Sequence, residues 1–294
     1  MKIQSLSIAV PTGKCVNDCK FCVSKTHHEK YENRMDVNSA GYAFAERDYL
    51  NRLAFARDNG CNTMMITGTA EPQQNRKFLA TLGRLNNSLD KPFRWIEMQT
   101  SGAMLDDDYL RFLRDQVGIS TISLSLSSLD DNSNMEYTGA LKKIYTNELC
   151  KSIKDRGFNL RISLNMTDKA FMVDNTFLKP KEVFMYVGTV LCADQITFRV
   201  LYNGESDCVQ NKWIKEHRAP QLEVDGIYQY IKENGRRLEV LEFGQVRYNV
   251  DGLSTVVDDD CMATNLNKDA LKYLILRPDC HLYSKWDSKA SLLF

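Results

Sequence analysis

The chain has 294 residues, 43% hydrophobic and 10% aromatic, enough for one large domain, or a domain with an extension, around a sizeable core. Lysine plus arginine equals aspartate plus glutamate, 38 each, which argues against a strong nucleic-acid partner. No apolar run is long enough to cross a bilayer, and Met1-Lys2-Ile3-Gln4 has no signal-peptide core, so a cytoplasmic protein with no membrane partner is expected.

Residues 3–10 alternate as a strand and run straight into Cys15-Val16-Asn17-Asp18-Cys19-Lys20-Phe21-Cys22. Three thiols this close can wrap around one metal centre. A [4Fe–4S] cluster held by three cysteines keeps one iron open to a small molecule. The alternative is structural zinc, with His27 or His28 completing a Cys₃His set. The other cysteines are scattered singly among a total of nine, which points to a reducing compartment and not a disulfide framework.

A polar loop follows over 24–38, then a helix over 40–58 ended by Asn59-Gly60. A strand over 63–67 leads into Gly68-Thr69-Ala70-Glu71-Pro72 and a helix over 75–89. The pattern repeats: strand 93–98 and helix 106–116, strand 121–126 and helix 142–156, strand 159–165 and helix 181–191. Residues 127–139 read as a polar loop. A sixth strand over 195–200 is closed by a helix over 222–234. Sustained alternation of this kind predicts a parallel sheet with right-handed crossovers, and ligands at the C-terminal strand ends. Beyond Gly235 the pattern changes to strands or hairpin arms over 238–243, 246–250 and 273–277. The predicted organisation is a barrel domain over 1–235 and a small β-rich C-terminal extension over 236–294 that covers it.

Cys-x-x-x-Cys-x-x-Cys after a first strand resembles the radical S-adenosylmethionine (SAM) superfamily, and Phe21 before the third cysteine is similar to that family's habit. The resemblance implies an α/β fold, a (β/α)₆ partial TIM-like barrel, with a [4Fe–4S] cluster on Cys15, Cys19 and Cys22. It implies that the open iron chelates SAM, that one electron cleaves the sulfonium, and that a 5′-deoxyadenosyl radical abstracts hydrogen from a substrate. It also implies an electron donor such as flavodoxin or ferredoxin.

Residues 68–72 resemble the family's Gly-Gly-Glu-Pro segment, with Thr69 and Ala70 in place of two glycines. The resemblance assigns Gly68, Thr69, Ala70 and Glu71 to the methionyl ammonium of SAM, which needs acceptors and close backbone approach. Thr100-Ser101-Gly102 is similar to a Thr-Asn-Gly segment of several members, and contacts the methionyl region or simply caps the next helix. Ser123, Ser125 and Ser127 share one strand face; Ser125 or Ser127 is expected at the SAM carboxylate or ribose, or as filling of a tight core. Asn165, nearest the end of its strand, is expected at the ribose or carboxylate, and Arg161 in a structural ion pair. Arg199 or Tyr202 is expected to hold an anionic substrate group or to stack on adenine, with a buried ion pair as the alternative for Arg199.

Cys261 and Cys280 are candidates for hydrogen-atom donation or a covalent intermediate, against the plain reading of inert buried thiols. Residues 273–283 are similar to a terminal hairpin of several members, with Cys280 where glycine is usual. The expected substrate is small or nucleotide-like. A glycyl-radical-enzyme activase and an RNA- or peptide-modifying enzyme are alternatives, and a non-catalytic iron–sulfur or zinc-binding module is the alternative of another class.

Overall fold

The structure is a computed structural model and describes residues 2–26, 30–202, 207–241, 244–259 and 270–294. Strand β1 (Lys2–Val10) is followed by helix α1 (Tyr42–Asp58), β2 (Thr63–Gly68), α2 (Arg76–Asn87), β3 (Trp95–Thr100) and α3 (Asp107–Phe112). Then come β4 (Thr121–Leu126), α4 (Asp131–Thr138), α5 (Thr146–Asp155), β5 (Asn159–Asn165), a small hairpin of β6 (Met172–Val173) and β7 (Thr176–Phe177), and α6 (Pro180–Met185). The chain continues through β8 (Gln195–Arg199), α7 (Val209–His217), α8 (Gln221–Asn234), β9 (Gly235–Val240), β10 (Val246–Val250), β11 (Leu253–Asp258), β12 (Ala270–Leu276) and β13 (Leu282–Tyr283).

Eleven strands form one sheet in the order β13-β12-β1-β2-β3-β4-β5-β8-β11-β10-β9. The run from β12 to β11 is parallel throughout. Its centre is the six-strand partial barrel expected from the sequence, here β1 to β5 and β8. The C-terminal segment adds one parallel strand to each edge, β12 beside β1 and β11 beside β8. Antiparallel β13, β10 and β9 flank these.

Strand parity sorts the side chains onto the two faces of the sheet. Ile8, Ile66, Met98, Ile122, Ile162 and Phe198 are at most 2% exposed and belong to the apolar core that the helices cover. Burial of each such side chain contributes roughly 1.5–3 kcal/mol. Their neighbours in sequence, Ser7, Met65, Glu97, Arg161 and Thr197, face the other way and line a cavity. Helix α1 presents Ala45, Tyr49, Leu53 and Ala56 to the core at helical spacing.

Helices α4 and α7, the β6–β7 hairpin and strand β11 depart from the sequence expectation. Residues 131–138 form α4 inside the stretch read as a loop; Asp130 caps it by accepting from Ser133 N at 2.8 Å, and Gly139 ends it in the left-handed conformation. Helix α7 was likewise unexpected. Helix α4 matters because the cysteine loop hangs on its C-terminal end.

Candidate active site

The cysteine loop leaves β1 at the C-terminal end of the barrel and is held from two sides. On one side, Asp18 N donates to Thr138 O at 2.9 Å and Lys20 N to Tyr137 O at 3.0 Å, using carbonyls that the end of α4 leaves free. Gly139 is required there: its φ is +59°, and a Cβ would stand 2.9 Å from Asp18 O. On the other side, the segment after Glu71 grips the loop. Gln74 Nε2 donates to Lys14 O at 2.8 Å, Val16 N to Gln74 Oε1 at 3.1 Å, and Asn75 Nδ2 to Pro11 O at 2.6 Å. Phe21 packs on Trp213 with ring centroids 6.0 Å apart, and Trp213 meets the edge of Tyr137 at 4.9 Å.

The three cysteines are half-buried. Asn17 N donates to Cys15 Sγ at 3.4 Å. Cys22 Sγ is 3.0 Å from Ser24 Oγ, whose hydroxyl donates to Thr69 O at 3.1 Å. Burial pushes the Cys19 thiol up to about 12, with Cys22, Cys15 and Glu71 close enough to raise it further and Lys25 acting against them. A cationic centre at this loop would reverse that cost and favour the thiolates. Among the described residues, no three His, Cys, Asp or Glu side chains are gathered to hold a single ion. A cubane takes one thiolate on each of three separate irons, so its ligands need not meet at a point. The soft three-thiol donor set fits an iron–sulfur cluster. His27 and His28, the proposed fourth zinc ligands, lie outside the described residues.

Beside the loop, the ends of β2 and β3 meet in a buried polar network. Glu71 is 8% exposed, and its carboxylate accepts from Thr100 Oγ1 at 2.7 Å and Ser101 N at 2.9 Å. Gln73 Nε2 donates to Thr100 Oγ1 at 2.8 Å, and Asn17 Nδ2 donates to Ser101 Oγ at 2.7 Å. Burial raises the Glu71 carboxyl above its ordinary range, and the bonds from Thr100 and Ser101 work the other way. Gly68 lies where a Cβ would come within 3.2 Å of Val10 O, so the small residue lets β1 and β2 close up under the loop. Thr69 and Ala70 are half-buried.

Further round the barrel, Asn165 Nδ2 donates to Ser125 Oγ at 3.2 Å and Leu126 O at 3.1 Å. The Ser127 hydroxyl is fully buried and makes no hydrogen bond among the described residues. Protein atoms cover that hydroxyl completely, so in this conformation Ser127 fills the core at the end of β4. Arg161 pairs with Glu97, as the sequence led us to expect. Arg199 donates to Ser163 Oγ at 2.6 Å and stands 3.7 Å from Asp258. Tyr202 is half-buried just past β8.

Cys280 borders Ala45 of α1, where its thiol donates to Ala45 O at 3.4 Å within the apolar core; burial pushes it up to about 12. Its φ of +67° explains the similarity to a glycine-bearing hairpin. Cys261 lies outside the described residues. Sequence reasoning missed Asn17, Gln73, Gln74 and Asp258. Asn17 sits inside the cysteine motif but carries no signal of its own, and Asp258 belongs to a strand, β11, that was not anticipated.

The family model for the radical SAM superfamily matches residues 9–168. The structure is similar to coproporphyrinogen III oxidase (HemN) from Escherichia coli, described as a radical SAM enzyme, at 13% identity and a TM-score of 0.54, over 80% of this chain and 54% of that one. It is also similar to methylornithine synthase (PylB), at 11% identity and a TM-score of 0.50, over 78% of this chain and 62% of that one. The chain thus spans a little over half the length of these structures. No curated protein matches it in sequence. No helix among the described residues is long and apolar enough to cross a membrane.

Proposed function

The chain belongs to the radical SAM superfamily, and on that premise we propose that Cys15, Cys19 and Cys22 hold a [4Fe–4S] cluster beside a SAM site built from the ends of β2 to β5. When bound, the cluster and SAM together supply a one-electron cleavage of the sulfonium that yields a 5′-deoxyadenosyl radical able to take hydrogen from a substrate.

The protein's own part is placement. Glu71 keeps a carboxylate with spare lone pairs next to the cysteine loop, suited to the methionyl ammonium of SAM. Thr100 and Ser101 fix that carboxylate in one orientation. Gly68, Thr69 and Ala70 leave room for the backbone to approach the same group. Ser125 and Asn165 present polar groups suited to the ribose or carboxylate. The substrate is a small molecule held in the lumen, and the electron comes from a flavodoxin- or ferredoxin-like donor.

The observation that carries this reading is the single network from Asn17 in the cysteine loop through Ser101 to Glu71 and Thr100. It ties the metal loop to the second and third strand ends as one unit. The test is anaerobic reconstitution with iron and sulfide, reduction, addition of SAM and measurement of 5′-deoxyadenosine. Wild type should form it and Cys19→Ala should not; equal product from both would sink the assignment.

A further inference from the structure

Residues 18–21 of the cysteine loop rest on two helices, and both supports lead to one carboxylate outside the cofactor site. The first support is α4, where Tyr137 O accepts from Lys20 N at 3.0 Å. The hydroxyl of the same Tyr137 donates to Asp168 Oδ1 at 2.7 Å. The second support is α7. Phe21 packs on Trp213, and Trp213 stacks on His217, one turn further along the helix, with centroids 4.5 Å apart and the rings inclined by 25°. His217 Nδ1 lies 3.0 Å from Asp168 Oδ2. Each oxygen of Asp168 therefore takes one support, and the edge contact of Trp213 with Tyr137 at 4.9 Å closes the circuit.

Asp168 sits just past the C-terminal end of β5. Its backbone is fixed independently of its carboxylate. Asp168 N donates to His217 O at 2.8 Å and Ala219 N donates to Met166 O at 2.8 Å, so main-chain bonds pin the end of α7 to the end of the strand. The carboxylate adds side-chain order. A charged acceptor makes a stronger bond to a hydroxyl than a neutral one does, and the same group sets the plane of the imidazole on which Trp213 stacks. Phe21 lies between Cys19 and Cys22, in a turn where Cys22 N donates to Cys19 O at 3.4 Å. The seat of Phe21 thus governs how the second and third thiols are spaced.

Resting on the radical SAM reading above, we infer that Asp168 is a positioning residue for the cluster ligands. Through Tyr137 on one side, and His217 and Trp213 on the other, it holds Phe21 and with it the turn from Cys19 to Cys22. It acts at a distance: among the described residues its carboxylate bonds to Tyr137 and His217, and not to a cysteine, Glu71 or Asn165.

The test is Asp168→Ala, which leaves the main-chain pins of α7 in place. In the anaerobically reconstituted protein, iron release to the chelator ferrozine should be at least about fivefold faster than in wild type. In the cluster-free protein, iodoacetamide should alkylate Cys19 at least about threefold faster, while Cys150, buried in α5, reacts as in wild type. Asp168→Asn keeps an acceptor and should fall between wild type and Asp168→Ala. Trp213→Leu should also speed iron release, and the double variant should release iron more slowly than the product of the two single effects, because both changes cut the same chain of contacts. The inference is overturned if Asp168→Ala changes neither rate, if Cys19 and Cys150 accelerate together, as general loosening would make them, or if the two variants act independently. If Asp168→Ala does not fold, Tyr137→Phe, which removes only the hydroxyl donated to Asp168, decides by the same readouts. A wild-type protein that forms 5′-deoxyadenosine, with no effect of Asp168→Ala on either rate, would remove this inference alone; a wild type that takes up no cluster would sink the radical SAM reading and this inference with it.

Discussion

Asn17, between the first two cysteines of the metal loop, donates a 2.7 Å hydrogen bond to the hydroxyl of Ser101 at the end of β3. Both residues are buried, at 7% and 8% exposure, and Ser101 N in turn donates to Glu71. Asn17→Ala removes a donor to the buried Ser101 hydroxyl, which then keeps, among the described residues, only Ala103 N at 3.4 Å and Glu71. The expected cost is about 1–3 kcal/mol, read as a lower urea midpoint, together with reduced iron retention after desalting. Unchanged iron content would mean that the loop does not need the network.

Gly139 offers a second way to disturb the loop without touching a cysteine. Gly139→Ala places a methyl group 2.9 Å from Asp18 O at φ +59°. The backbone penalty alone is about 1 kcal/mol, and the contact forces the loop carbonyl to move. Gly60→Ala is the matched control, since Gly60 has φ +85° with nothing within 4 Å of the added Cβ. Both variants should lose stability; only Gly139→Ala should also lose iron incorporation.

The Glu71 carboxyl gives a pH signature. Burial raises it above its ordinary 4.5. A folded value above the unfolded one means that the group's contribution to stability is fully present below the unfolded value and is lost as pH rises through the folded value. Glu71→Gln removes that titration. In the cluster-free protein, the stability of wild type relative to Glu71→Gln should therefore be more favourable near about pH 4 than near about pH 7. Urea titrations at the two pH values check this, and a difference that does not change with pH contradicts it.

Asp258 joins the two edges of the parallel sheet. It lies on β11 and answers Arg199 on β8 and Lys272 on β12, although β11 and β12 are not neighbours in the sheet. Asp258→Asn removes a buried carboxylate that answers half-buried Arg199 and buried Lys272, a loss of about 3 kcal/mol. We expect a large fall in the urea midpoint and faster hydrogen exchange in β11 and β12 than in β3 and β4.

The legible parts of this fold are those whose stability is local. The strands at 121–126 and 159–165 fall where they were expected because apolar residues alternate with polar ones, and the alternation itself dictates which face meets the helices. Helix α4 escaped because Asp131–Thr138 shows almost no amphipathic pattern; only Asp130 and Gly139 mark it, through its two caps. Strand β11 carries a local signal, its hairpin with β10 across Asp251-Gly252 with Val250 opposite Leu253, but its parallel pairing with β8, far away in sequence, has none. The site shows the same division. Cys15, Cys19, Cys22 and Glu71 stand out by spacing and order. The bonds that bind them into one unit, from Asn17 to Ser101 and from Gln73 to Thr100, arise only when β1, β2 and β3 lie side by side.

The most direct test of the central claim is electron paramagnetic resonance of the anaerobically reconstituted, one-electron-reduced protein, recorded with and without SAM. The account predicts a reduced [4Fe–4S] signal in wild type whose g-values shift when SAM is added, and no such signal in Cys19→Ala. A cubane signal indifferent to SAM, or one that survives the loss of Cys19 unchanged, would contradict the assignment of the Cys15–Cys22 loop as the SAM-binding cluster site.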